Sequence, residues 1–204
     1  NNNCFVMSTY NNSCTFNNCA GSSCDIACSA SIPFHADPTD DGTYDGEEWL
    51  AFMEVSDVVG GYDFDSASGV ELLTLRALAV DSLINYGALL ADSDTESYNA
   101  TTSIVNLGNV PINVDIEGTD LSDGNSSTIP ADLQKVATTT FTYSACVVCQ
   151  QLSSSSPVTL NVNLSKPVAI NPPVETDVFW GIAVPFSASN VAHTGVNIFT
   201  PIGI

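Results

Sequence analysis

The chain has 204 residues, 44% of them apolar and 13% charged, about half the charged share of an ordinary globular protein. That length accommodates one large domain or two small ones, each with a real core. A formal charge of −20, with only Arg76, Lys135 and Lys166 positive, repels phosphate backbones and anionic headgroups, so nucleic-acid binding and electrostatic membrane docking are set aside. Cations, glycans and other copies of the chain remain as partners. No apolar run reaches the ~20 residues that span a bilayer as a helix, so direct membrane insertion is not expected.

Five of the seven cysteines, Cys4, Cys14, Cys19, Cys24 and Cys28, fall near the start, and the other two form Cys146-Val-Val-Cys149. Such a density points to an oxidising, extracellular compartment. Cys146 and Cys149 follow a predicted strand and have no basic neighbour to lower a thiol pKa, which favours a local disulfide over a redox or zinc role. The pairing of the other five is open, and one is left over. Zinc held by Cys19, Cys24 and Cys28 is the alternative, set aside because of the oxidising context. Disulfides there replace a core that Asn- and Ser-rich residues 1–31 cannot build. The opening Asn1-Asn2-Asn3-Cys4 lacks the basic and apolar regions of a secretory signal, so a processed portion of a longer protein is expected.

Alternating β-branched or aromatic and small polar residues, broken by Gly, Pro, Asn and Asp, predict an all-β chain of two immunoglobulin-like sandwich modules. Residues 1–80 form the first, cysteine-stapled and incomplete, with strands at 4–10, 26–34, 48–57 and 70–80. The last of these is read as extended in spite of its helix-forming residues. Residues 81–204 form the second, with strands at 83–86, 97–106, 111–117, 134–143, 157–164, 177–184 and 196–201. Seven short strands in about 120 residues suit one such sandwich. Val158, Leu160, Val162 and Leu164 are expected to face its core, as are Ile112, Val114 and Ile116. Four strands are too few to seal the first module, and an uncovered sheet edge is an association site.

The acidic segment 37–48 has calcium-loop spacing. Asp37, Thr39, Asp41, Asp45 and Glu48 fall at positions 1, 3, 5, 9 and 12, with Gly42 at the sharp turn. Pro38 and the lack of flanking helices separate it from a true EF-hand; an acidic surface loop is the plainer reading. Asp57, Asp63 and Asp65 are candidates for a second acidic pocket. Sequons stand at Asn11, Asn99, Asn125 and Asn163. His35 and His193 have no nucleophile elbow nearby, and no phosphate loop or dinucleotide fingerprint occurs. Tyr44, Trp49, Tyr62, Phe64 and Trp180 are candidates for a glycan platform, although Trp49 and Trp180 are better placed in cores.

Asp37-Pro38-Thr39-Asp40, Glu48-Trp49-Leu50-Ala51, Ile84-Asn85-Tyr86-Gly87, Val105-Asn106-Leu107-Gly108-Asn109-Val110, Phe179-Trp180-Gly181-Ile182 and Thr194-Gly195-Val196-Asn197 carry a resemblance. From about Asp37 the chain resembles uncharacterised secreted Ig-like surface proteins of ultra-small candidate-phylum bacteria. The resemblance implies a trimmed cell-surface β-protein, with a signal peptide and further strands ahead of the cysteine cluster, and it transfers no catalytic residue. The resulting expectation is a non-enzymatic extracellular subunit without a cofactor, assembling into a surface filament, pilus-like fibre or surface layer by sharing strands or interfaces. The alternative is a calcium-dependent adhesin or glycan-binding module.

Overall fold

Where apolar residues alternate with polar ones over seven or more positions, the computed structural model forms its longest strands. It describes residues 4–5, 14–20, 23–29 and 31–204. Residues 6–10 of the strand expected at 4–10, and the sequon at Asn11, lie outside them. The fold is all-β, without an α-helix among the described residues. Contacts divide the chain into units 1–74 and 75–204.

In the first unit, β1 (Cys14–Ala20) pairs with β2 (Ser23–Cys28), and β3 (Phe52–Ser56) pairs with β4 (Tyr62–Ser66), both antiparallel. The sequence reading missed β1, because its Asn-rich composition lacks an apolar face. Disulfides Cys14–Cys28 and Cys19–Cys24 hold that hairpin, in place of buried side chains. Among the described residues of this unit only His35, Ala36, Pro38 and Thr39 are buried.

The expected strand at 70–80 is corrected to an isolated bridge, Trp49 to Val70, plus a short strand belonging to the second unit. Between them, Thr39 and Asp40 hold the backbone. The Thr39 N–H donates to the Leu72 carbonyl at 2.8 Å, and the Leu72 N–H donates to Thr39 Oγ1 at 2.8 Å. The Thr74 N–H donates to Asp40 Oδ1 at 2.7 Å. Amides paired this way are unavailable to a ladder.

The second unit comprises β5 (Leu78–Val80), β6 (Ser93–Asp94), β7 (Ala100–Asn106), β8 (Ile112–Gly118), β9 (Leu121–Ser122), β10 (Thr128–Ile129), β11 (Gln134–Ala137), β12 (Gln150–Gln151), β13 (Val158–Leu164), β14 (Val174–Val184) and β15 (Asn197–Gly203). A six-stranded sheet has the order β12-β11-β14-β7-β5, with β6 also on β14, and a three-stranded sheet has the order β13-β8-β15. Ile104, Val136, Val178 and Trp180 from the first sheet share one core with Ile112, Val114, Ile116, Leu160 and Leu164 from the second. Thr159, Asn161 and Asn163 of β13 are exposed, as period-two alternation requires. β9 and β10 form a small hairpin whose Leu121 and Ile129 pack with Ile182 and Ala188.

The strand expected at 26–34 ends at Cys28, and two expected strands of the second unit differ as well. Residues 83–86 turn instead: Asn85 Oδ1 accepts from the Gly87 N–H at 2.9 Å, and Gly87 takes a φ of +76°, a left-handed value that suits glycine. The strand expected at 134–143 stops at Ala137, because the Phe141 N–H donates to Asn99 Oδ1 at 2.9 Å and leaves the ladder.

Replacement of Ile116, fully buried on β8 at the middle of its sheet, tests the shared core. Ile116→Ala is expected to destabilise the second unit by about 2–5 kcal/mol, read as a lower urea midpoint at unchanged slope.

Candidate functional site

The hairpin β3–β4 positions a group of exposed aromatic residues in the first unit. Its register sets Phe52 opposite Ser66, Glu54 opposite Phe64 and Ser56 opposite Tyr62, so these six side chains share one face. Phe52, Tyr62 and Phe64 on that face are 64%, 71% and 60% exposed, whereas aromatic rings are ordinarily the anchors of a core. The rings of Phe52 and Phe64 stand 5.8 Å apart. The exposed Glu54 carboxylate lies among the three rings by register.

Asp57 shapes the turn. Its Oδ1 accepts from the N–H groups of Val59 and Gly61 at 2.9 and 2.8 Å, and Gly60 adopts a φ of +91°. A glycine in that conformation is what a type I turn closing with a bulge requires. The result is an ordered tip that presents Val58 and Val59 to solvent. On the opposite face Met53 and Val55, with Asp63 and Asp65, line a shallow pocket shared with Cys24 and Ile26. Cys28 Sγ lies 3.7 Å from Met53 Sδ, which sets the disulfide hairpin against this face.

The acidic segment does not form a coordination cage in the structure. The hydroxyl of Thr39 is occupied by the Leu72 N–H, Asp41 Oδ1 accepts from the Gly42 N–H at 2.7 Å, and the Asp37 carbonyl accepts from Trp49 Nε1 at 2.9 Å. Among the described residues no group of three or more His, Cys, Asp and Glu side chains is arranged to hold a metal, neither Asp37, Asp41, Asp45 and Glu48 nor Asp57, Asp63 and Asp65. A sequence can supply oxygens at calcium spacing and still direct them to backbone amides.

Cys146 is bonded to Cys149, and Cys4 is a free, exposed thiol. Three disulfides accord with an oxidising, extracellular-type environment. No helix among the described residues is long and apolar enough to cross a membrane. Asn99 is not open to a glycan in the folded chain, since its Nδ2 is buried. Asn125 and Asn163 are exposed.

His35 is buried against Phe34 and Phe5, and Phe5 in turn stacks on Trp49, a small aromatic cluster and not a platform. Trp180 is fully buried, and Tyr44 is half-buried. His193 ties residues 185–194 to the β9–β10 hairpin. Its Nδ1 is 2.9 Å from the Val191 carbonyl, which only accepts, so Nδ1 carries the proton and Nε2 accepts from the Ser127 hydroxyl at 3.0 Å. The Ser189 N–H donates to Ser127 Oγ at 2.9 Å, and the Ser189 hydroxyl to Asp123 Oδ2 at 2.9 Å. In the interior, burial above all, and then the neighbouring Tyr143, push the Tyr86 phenol far above its usual range. It donates to Gln134 Oε1 at 2.9 Å and satisfies a buried amide.

No protein-family model, curated protein or solved structure matches this chain. Of the platform residues expected from sequence, only Tyr62 and Phe64 share the exposed face. Phe52, Glu54 and the Val58-Val59 tip were missed, although Asp57 and Gly60-Gly61 between two alternating segments signalled a hairpin.

Two measurements check these local ties. Asp40→Ala removes the acceptor of both the Thr74 N–H and its hydroxyl, and is expected to cost the first unit about 1–2 kcal/mol in thermal or urea unfolding. The carboxyl of Asp123 is held below the usual aspartate range, first by the Asn125 N–H and then, against an opposing desolvation, by the Ser189 hydroxyl and the Ser127 N–H. A depressed folded pKa means that the tie is intact above the ordinary aspartate range and is lost as pH falls through the folded value. Acid titration followed by NMR should shift the Asn125 and Ser127 amides together, and Asp123→Asn should abolish that transition.

Proposed function

We propose that this protein is a non-enzymatic extracellular structural subunit whose copies build a surface filament, pilus-like fibre or surface layer. One observation carries the reading. The first unit contains two two-stranded sheets, buries four of its described residues, and leaves Phe52, Tyr62 and Phe64 in water. A two-stranded hairpin is marginal alone and gains stability by packing its face or pairing its edges. A neighbouring copy supplies both. The two antiparallel sheets around one core in the second unit support reading it as an immunoglobulin-like sandwich, a self-sufficient body for each repeat. Disulfides within each copy suit it to an oxidising, extracellular-type environment.

A second reading, a glycan-binding surface module, is favoured by the same three rings, since sugars stack on exposed aromatic faces. The two readings part in solution. Sedimentation velocity and negative-stain microscopy over a hundredfold concentration range should show growing, open-ended particles. A protein that stays monomeric throughout, and is retained on a glycan array, would establish the second reading in place of the first.

A further inference from the structure

We propose that Ser127 is an acyl-accepting site: its hydroxyl, with His193 as the base, takes the acyl group of an activated carboxylic ester and retains it. The inference goes beyond the assembly reading and does not depend on it. An acyl group taken once and kept is a modification, and a subunit so modified remains non-enzymatic.

The backbone holds the pair from both sides. Ser122 and Thr194 exchange N–H to carbonyl hydrogen bonds at 2.8 and 2.9 Å, which pins the residue after His193 to the β9–β10 hairpin. Ser127 closes the turn of that hairpin, where its N–H donates to Asp123 Oδ1 at 3.1 Å. The Val191 carbonyl, 2.9 Å from Nδ1, keeps the imidazole proton there, so the lone pair of Nε2 faces the Ser127 hydroxyl at 3.0 Å. A hydroxyl hydrogen-bonded to a base that a third group orients is the arrangement that activates a serine. The Asp123 carboxylate lies close enough to His193 for the two to attract. A fixed negative charge offsets the positive one that such a base acquires. A tie between two loops needs only a hydrogen bond; the fixed tautomer and the nearby carboxylate are what a proton acceptor needs in addition. Ser127 and His193 are half-buried, and Ser126, Thr128 and Thr194 beside them are exposed, so the pair lies at the surface.

The chemistry follows from these atoms. Ser127 Oγ attacks the carbonyl carbon of the ester while its proton passes to Nε2. The bond from that carbon to the leaving oxygen breaks, and Nε2 returns the proton to the departing group. An acyl-serine and a free alcohol result. The surroundings select esters with good leaving groups. Asp123 Oδ1 occupies the Ser127 and Asn125 N–H groups, Ser122 Oγ the Gly124 N–H, and Ser127 Oγ itself the Ser189 N–H, so none of these amides stabilises an oxyanion. Such a site reacts where the leaving group is weakly basic. It then stalls, because the serine alkoxide is a strongly basic leaving group and water gains no help from an oxyanion hole. Val191, 59% exposed, gives the acyl chain an apolar neighbour.

The probe is p-nitrophenyl butyrate added to the full chain, with nitrophenolate release followed by absorbance and the adduct located by peptide mass spectrometry. Butyryl is expected on Ser127, formed at least about a hundredfold faster than in His193→Gln, which retains an acceptor for the Ser127 hydroxyl and loses the base. Ser127→Ala should remove that adduct and leave acylation elsewhere, such as at the exposed Cys4 thiol, unchanged. Circular dichroism checks the fold of each variant. The exposed Ser126 is a reference within the parent chain, so the test stays decisive if a variant misfolds. Ser127 butyrylated no faster than Ser126, or as fast in a folded His193→Gln as in the parent, would overturn the proposal. Continued nitrophenolate release that Ser127→Ala abolishes would overturn retention of the acyl group, and with it the non-enzymatic part of the reading above, while supporting the pair itself.

Discussion

The indole of Trp180 joins the two sheets of the second unit. It lies on β14, which over its eleven residues pairs with β7, β11 and β6 in turn. Its N–H donates to Thr102 Oγ1 on β7 at 2.9 Å, and its ring meets Phe199 of the opposite sheet edge to face, centroids 5.8 Å apart. A buried indole needs an acceptor as well as apolar neighbours, and this position supplies both. The Thr95 hydroxyl accepts from the Ile182 N–H two residues further on, and Ile182 carries the packing on to Leu121, Ile129 and Ala188. The loops at the far end of β14 are therefore seated by the same strand that organises the core.

The first unit is held together by other means. Where the second unit buries isoleucine, valine and leucine, the first relies on side chains that bind backbone: Thr39 to Leu72, Asp40 to Thr74, Asp57 to Val59 and Gly61. Such hydrogen bonds specify geometry, yet each contributes only about 1 kcal/mol net, and they draw no apolar surface out of water. The disulfides shorten the unfolded ensemble of the β1–β2 hairpin without adding a core. A body made this way leaves its aromatic residues where a sheet face leaves them. An exposed patch of that kind is uncommon on monomers, and it is the surface that the proposed assembly would cover.

Charge restricts how the proposed assembly could be held. At −20, copies of this chain repel one another at separations up to the Debye length, roughly 10 Å at moderate salt. In the proposed assembly, association would be carried by short-range forces such as ring burial and backbone pairing. Those are the features the hairpin offers.

Composition and periodicity by themselves determined the class of this protein. Alternation on β8 and β13 announced strands with one buried face, because a residue's side of the sheet follows from its parity alone. The cysteine count announced an oxidised chain with one thiol left over. Tertiary structure decided what parity and counting do not encode. Asn99, read as a glycosylation site, spends its carbonyl on the Phe141 amide, and two of the oxygens at calcium spacing, those of Thr39 and Asp41, accept from backbone amides, because each polar group is claimed by whichever donor the fold brings within reach. Likewise Phe52 and Trp180 are both aromatic residues on strands, and only the presence or absence of a second sheet above them makes one a core residue and the other a surface.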